Sequence, residues 1–139
     1  MAETMRVYSR SFRIPADVID ENGHANNVAY VQWMQDIAVE HYASIGGIEA
    51  QGRDATWFVQ EHRIEYFLPA FAGEGIEIRT WVENIRRVRS LRKYEFVRKS
   101  DGKVLVKGET DWVFVDSKTG RPLPIPDEVA KMFSIEQEP

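Results

Sequence analysis

The chain has no cysteine. Disulfides, thiolate metal sites and a cysteine nucleophile are therefore excluded. Histidine is nearly as scarce. His24, His41 and His62 are the only three, and they lack the spacing of a ligand set, so no metal is expected. The sequence contains no glycine-rich phosphate loop and no G-x-S-x-G elbow, which disfavours a serine triad. Long apolar runs are missing too, and no segment approaches membrane-spanning length. The opening residues MAETMRVYSRSF lack the apolar stretch of a secretory signal. A cytoplasmic protein without a membrane span is expected. The net charge is −4, so neither nucleic acid nor a membrane surface is an expected partner.

What remains is ordinary globular composition, 43% hydrophobic and 29% charged over 139 residues. That length fits one domain, 1–139, able to bury roughly two thirds of its unfolded surface. Residues Met5 to Ile14 alternate and carry β-branched and aromatic side chains, so they predict a strand that Pro15 ends. From Val28 to Ile45 the apolar residues fall at steps of three and four: Tyr30, Trp33, Met34, Ile37, Ala38, Tyr42 and Ile45. Val31 and Val39 widen this stripe, which predicts a mostly buried helix. Asn26 is its N-cap and Gly46-Gly47 its stop. Four long segments of near-twofold period follow: Ala55 to Phe67, Gly75 to Ile85, Ser90 to Lys99 and Lys103 to Val115. Ser100-Asp101-Gly102 supplies a hairpin turn between the last two. Gly108 marks an expected bulge. Asp116 to Pro126 is turn-rich, and Asp127 to Phe133 predicts a short helix. Consecutive strands with short turns imply an antiparallel sheet. A helix apolar on most sides needs a surface that wraps it, so an α+β fold is expected: a curved sheet of about five strands around one central helix.

The stretch DENGHANN, Asp20 to Asn27, stands directly before that helix. A helix N-terminus presents unpaired N–H groups and partial positive charge, suited to a developing oxyanion. If the loop is extended, Asp20, Asn22, His24 and Asn26 point the same way. A carboxylate, an imidazole and amides would then converge beside the oxyanion site, which is the equipment for hydrolysing a carbonyl ester. Gly23 permits a bend within it. The same residues are also common turn and cap formers, and composition alone favours that plainer reading.

The segment DENGHANNVAYVQWMQD resembles the D-x-x-G-H-x-N-N-x-x-Y-x-x-W motif of hotdog-fold thioesterases of the 4-hydroxybenzoyl-CoA thioesterase-like group. It also resembles the D-x-N-x-H-x-N-N-x-x-Y-x-x-W segment of plant acyl-carrier-protein thioesterases. Downstream, FVQEHRIEYFLPAFAGEGIEIRTWV is similar to the family's second and third strands, and GRPLPIP to its C-terminal turn. The resemblance implies a hotdog fold and hydrolysis of an acyl thioester, acyl-CoA first and acyl-carrier-protein second, with no cofactor. It places Asp20 on the family's catalytic aspartate, base or nucleophile, with Asn22 and His24 as its partners. Backbone N–H groups around Asn26, Asn27 and Val28 would polarise the carbonyl. It also implies a site shared between subunits, hence a homodimer or homotetramer. Two positions depart from the pattern. Val18 stands where many members carry a second aspartate, and Pro69 stands in place of the plant enzymes' strand glutamate.

Asn84 to Lys93 (NIRRVRSLRK) holds five cations. Arg87, Arg89 and Ser90 read either as a clamp for the phosphates of CoA or as a solvated hairpin face. Trp57, Phe58 and Val59 are expected to line an acyl pocket or to be ordinary core. His41 is expected to be packed or at a subunit contact, and Glu61 to make a salt bridge. A hotdog hydratase or dehydratase and a non-catalytic acyl-binding protein are the remaining alternatives.

Overall fold

The polar loop stops where a helix can begin because Asn26 has the extended backbone of an N-cap. Its side-chain oxygen accepts a bond from the Ala29 N–H at 2.8 Å. The computed structural model describes residues 7–133. Helix α1 runs Asn27–Ser44, 18 residues. It buries Ala29, Tyr30, Met34, Ile37, Ala38 and His41 along one stripe. The expectation of a mostly buried helix is corrected here. Val28 and Val39 are exposed at 77% and 59%, because the sheet covers one side of α1. The helix ends at Ile45, and Gly46 takes the left-handed conformation at φ 83°. Gly47 does not stop anything. It opens a second short helix, α2 (Gly47–Gln51), that the sequence pattern does not announce.

Five strands form one antiparallel sheet: β1 (Tyr8–Arg13), β2 (Ala55–Tyr66), β3 (Gly75–Arg86), β4 (Arg89–Arg98) and β5 (Val104–Asp116), in the order β1-β3-β4-β5-β2. A short 3-10 turn, Ala16–Val18, precedes the loop, and α3 (Asp127–Met132) is the last of the described elements. Residues 5 and 6 of the expected first strand lie outside the described residues. The β4–β5 hairpin turns as its residues predict. Gly102 has φ 73°, and Asp101 accepts from the Lys103 N–H at 3.1 Å and from the Arg98 guanidinium at 2.8 Å. Those donors, Arg98 first, hold the Asp101 carboxyl down at about 2.

Gly108 is not at a bulge. It pairs in register with Ile64 on one side and Tyr94 on the other. A Cβ there would stand 2.8 Å from the Met34 sulfur. The glycine is needed because α1 sits directly on the sheet at that point. The register shifts fall elsewhere, between Val59 and Glu61, between Val82 and Asn84, and between Phe96 and Val97. Two packed clusters result. One gathers Tyr30, Met34, Ile37, Tyr94 and Phe96 under the first half of α1. The other gathers Val82, Ile85, Phe114, Val129 and Phe133 around α3.

Candidate active site

The DENGHANN loop is not extended. Asp20 N–H donates to the His24 carbonyl at 2.8 Å, Gly23 N–H donates to the Asp20 carbonyl at 3.0 Å, and Gly23 has φ 82°. Ile19 and Ala25 bridge across this tight reversal. Asp20, Asn22, His24 and Asn26 therefore do not share a direction as expected, because that periodicity belongs to strands and not to turns. The reversal folds Asp20 back on itself. Its Oδ1 accepts from the N–H groups of Asn22 at 2.9 Å and His24 at 3.2 Å. Its Oδ2 has no hydrogen bond among the described residues, and the residue is exposed.

The loop is pinned on both sides. Ala25 N–H donates to the Ala70 carbonyl at 2.9 Å, and Asn26 gives both its backbone N–H and its Nδ2 to the Val18 carbonyl, each at 2.9 Å. Asn26 is thus a structural cap, and its amide is already committed at both ends. Asn27 and Val28 follow in the first turn of α1, where N–H groups have no intrahelical partner. Both residues are exposed. The imidazole of His24 is half-buried and meets the Phe71 ring edge-on at 5.3 Å. The Asn22 side chain is exposed. One short turn therefore carries a carboxylate with an open oxygen, an imidazole and the start of a helix.

The other sequence-chosen residues lie apart from that turn. Trp57 is half-buried and lines a cavity of about 250 Å³ between the second half of α1, α2 and the sheet. Phe58, one step along the strand, is 52% exposed, and Val59 is half-buried outside the cavity lining. Arg87 occupies the β3–β4 turn at φ 51° and is exposed. Arg89 is exposed and paired with Asp111 at 2.6 Å. Ser90 has the opposite parity, is buried, and lines the cavity. Arg87, Arg89 and Ser90 do not share one face. Glu61 is exposed and His62 half-buried, with His62 Nδ1 and Thr110 Oγ1 2.8 Å apart; no ion pair of Glu61 is found among the described residues.

A cluster around Arg92 was not singled out by sequence reasoning. Arg92 is only 4% exposed. Its Nη1 donates to His41 Nδ1 at 2.9 Å and to Thr80 Oγ1 at 3.1 Å. His41 is packed, as expected, between Tyr8, stacked at 5.0 Å, and Phe133. Burial first, then the Arg92 charge, pushes the His41 pKa down to about 4, so His41 is neutral and its Nδ1 can accept. Burial also pulls Arg92 down to about 10. The signal was available: Ser90, Arg92, Tyr94 and Phe96 share one parity, and all are buried.

A five-stranded antiparallel sheet curved over one helix, with a polar reversal at the helix's start, is a hotdog fold. The chain belongs to the thioesterase-like superfamily, whose family model matches residues 14–133. It is 26% identical over 130 residues to a chloroplastic acyl-[acyl-carrier-protein] hydrolase of Cuphea viscosissima, covering 88% of this chain and 32% of that one. It is 25% identical over 132 residues to a chloroplastic palmitoyl-acyl carrier protein thioesterase of Cuphea hookeriana, with the same coverage of 88% and 32%. The chain thus spans about a third of the length of these curated relatives, 32%. Among solved structures it resembles a 1,4-dihydroxy-2-naphthoyl-CoA thioesterase from Synechocystis, with TM-score 0.80, 14% identity and 92% and 96% of the two chains covered. It also resembles a 12:0-ACP thioesterase from Umbellularia californica, with TM-score 0.81, 21% identity and coverage of 92% and 49%. Among the described residues no helix is long and apolar enough to cross a membrane.

Proposed function

We propose that this chain hydrolyses an acyl thioester, acyl-CoA being the first substrate to try, and that the DENGHANN turn performs the chemistry. The observation that carries this reading is the division of labour in the Asp20 carboxylate. Oδ1 is fixed by two loop N–H groups, while Oδ2 takes no hydrogen bond among the described residues, on an exposed turn that leads into the first turn of α1. In this reading a water held by Oδ2 attacks the thioester carbonyl and Asp20 takes its proton. The carbonyl oxygen becomes an oxyanion facing the N–H groups of Asn27 and Val28. Collapse expels the thiolate, which is reprotonated, leaving a free acid and a thiol. His24, oriented by Phe71, and Asn22 would position the thioester or share the proton. Direct attack by Asp20 would instead give a mixed anhydride that water then opens.

Acyl-carrier-protein esters are the second substrate class, supported by the names of the curated plant relatives. Pairing of two copies belongs to the same reading. In the described residues β2 is an edge strand of twelve residues with one side unpaired, and Phe58 and Tyr66 on it are exposed at 52% and 46%. The test is thiol release from a panel of aromatic, short and medium-chain acyl-CoAs and acyl-carrier-protein esters. Release by wild type, lost in Asp20→Asn, is the expected result. Equal release by both proteins would remove Asp20 from the chemistry.

A further inference from the structure

Arg92 is a buried cation without a counter-ion. A guanidinium carries five N–H donors and accepts nothing. Nη1 is used on His41 and Thr80, both neutral acceptors. Nε and Nη2 find no acceptor, and no carboxylate pairs with Arg92, among the described residues. Its guanidinium also lies over the Phe133 ring, 5.5 Å from the centroid, but burying a cation without an anion is costly, and buried arginines are ordinarily matched with one. Arg92 lines the cavity of about 250 Å³, together with Tyr42, Trp57, Ser90, Trp112 and Phe133. The indole N–H groups of Trp57 and Trp112 are also buried without a hydrogen bond. Each lies near a tyrosine hydroxyl, Tyr42 and Tyr94 respectively, at a geometry that makes none. Tyr42 is already engaged, donating to Gln51 Oε1 at 2.7 Å. The cavity is therefore mostly apolar-walled, with Gln51, Thr56 and Ser90 as its neutral polar residues and no carboxylate to face Arg92.

We infer that this cavity is a binding site for a small carboxylic acid with an apolar or aromatic body. Its carboxylate would take the free N–H groups of Arg92 and reach the indole N–H of Trp57, and its body would pack on Tyr42, Trp112 and Phe133. A planar guanidinium suits a carboxylate in two-point contact. The walls carry no carboxylate to match a cationic ligand, and a bare phosphate would leave the aromatic lining uncovered. The site is separate from the DENGHANN turn. Val39 and Tyr42, which line it, lie twelve or more residues along α1 from Asn27, about 18 Å at 1.5 Å per residue. The inference does not rest on thioester hydrolysis.

The test is calorimetric titration of the whole chain with octanoate and benzoate, and with octanamide and benzamide as neutral matches. Wild type is expected to bind at least one acid, about tenfold or more tighter than its amide. Arg92→Met removes the charge, keeps an unbranched apolar side chain, and is expected to fold and lose that preference. Trp57→Phe, which removes one indole N–H, is expected to weaken the acid severalfold. Asp20→Asn is expected to bind like wild type. Titration in the presence of octyl-CoA, a thioether that cannot be hydrolysed, identifies the source of the acid. Displacement makes the cavity the far end of an acyl site that receives its own product, and simultaneous binding makes the acid an independent ligand. Equal affinity for acid and amide, acid binding retained in a folded Arg92→Met, or no binding of either acid would each overturn the site. Loss of binding in Asp20→Asn would overturn its separateness.

Discussion

Asparagine at position 20 keeps the Oδ1 acceptor that the Asn22 and His24 N–H groups require, and removes only the charge and the basic second oxygen. Asp20→Asn should therefore unfold at nearly the wild-type temperature while turnover falls by about 10² to 10⁴, the usual weight of a general base. Circular dichroism melting and thiol release on the same preparation separate the two effects. Asn26→Ala acts in the opposite sense. It deletes the cap bond to Ala29 and the Nδ2 bond to Val18, and should cost about 1 to 2 kcal/mol. That loss should appear as a lower urea midpoint at unchanged slope. The cap was legible in the sequence because an asparagine before a helical period has one dominant local use. The reversal at Asp20 was not. Its shape depends on Gly23 adopting positive φ and on the anchoring of Ala25 to Ala70, a contact forty-five residues away that no local pattern encodes.

At the scale of elements, α1 and the sheet meet in two different ways. Under its middle, Met34 rests against Gly108 with no room for another carbon. Gly108→Ala should force a repacking that costs about 1 to 3 kcal/mol, and a thermal melt would read it. A variant as stable as wild type would mean that Met34 moves aside freely. Toward its end, α1 is tied to β4 through the His41–Arg92 bond. Because His41 is held neutral, with a folded pKa of about 4 against an ordinary 6.5, its contribution to stability is present above about pH 6.5. It is lost as pH falls toward 4, where the unfolded chain binds a proton that the folded one refuses. The slope can reach about 1.4 kcal/mol per pH unit. His41→Gln keeps an acceptor for Arg92 without the titration, so its stability should fall less than that of wild type between pH 7 and 4.5 in urea titrations. Identical slopes would place the protonation elsewhere. The helix, the four long strands and the short last helix were all legible from period and punctuation, since their apolar patterns are strong. Gly108 was misread as a bulge because a glycine in a strand signals either a bulge or a close neighbour, and only packing decides. Helix α2 was missed because five residues that begin with a glycine and follow another carry no period.

At the scale of the molecule, β1 and β2 are the edges of the sheet among the described residues. A long edge strand with exposed Phe58 is a liability in a lone copy. Sedimentation of the purified chain should give about twice the 16.1 kDa mass of one copy, or a multiple of that. A single species of one-copy mass at micromolar concentration would remove the shared-site part of the proposal. The seat of Met34 has a consequence of another kind. Met34 is 0% exposed, and its sulfur sits so near Gly108 that a Cβ there would be 2.8 Å away, in a chain with no cysteine to react first. Peroxide should therefore reach that thioether only when α1 lifts from the sheet. The rate at which Met34 gains sixteen mass units, read by peptide mass spectrometry, is a built-in clock for how often the central helix lets go.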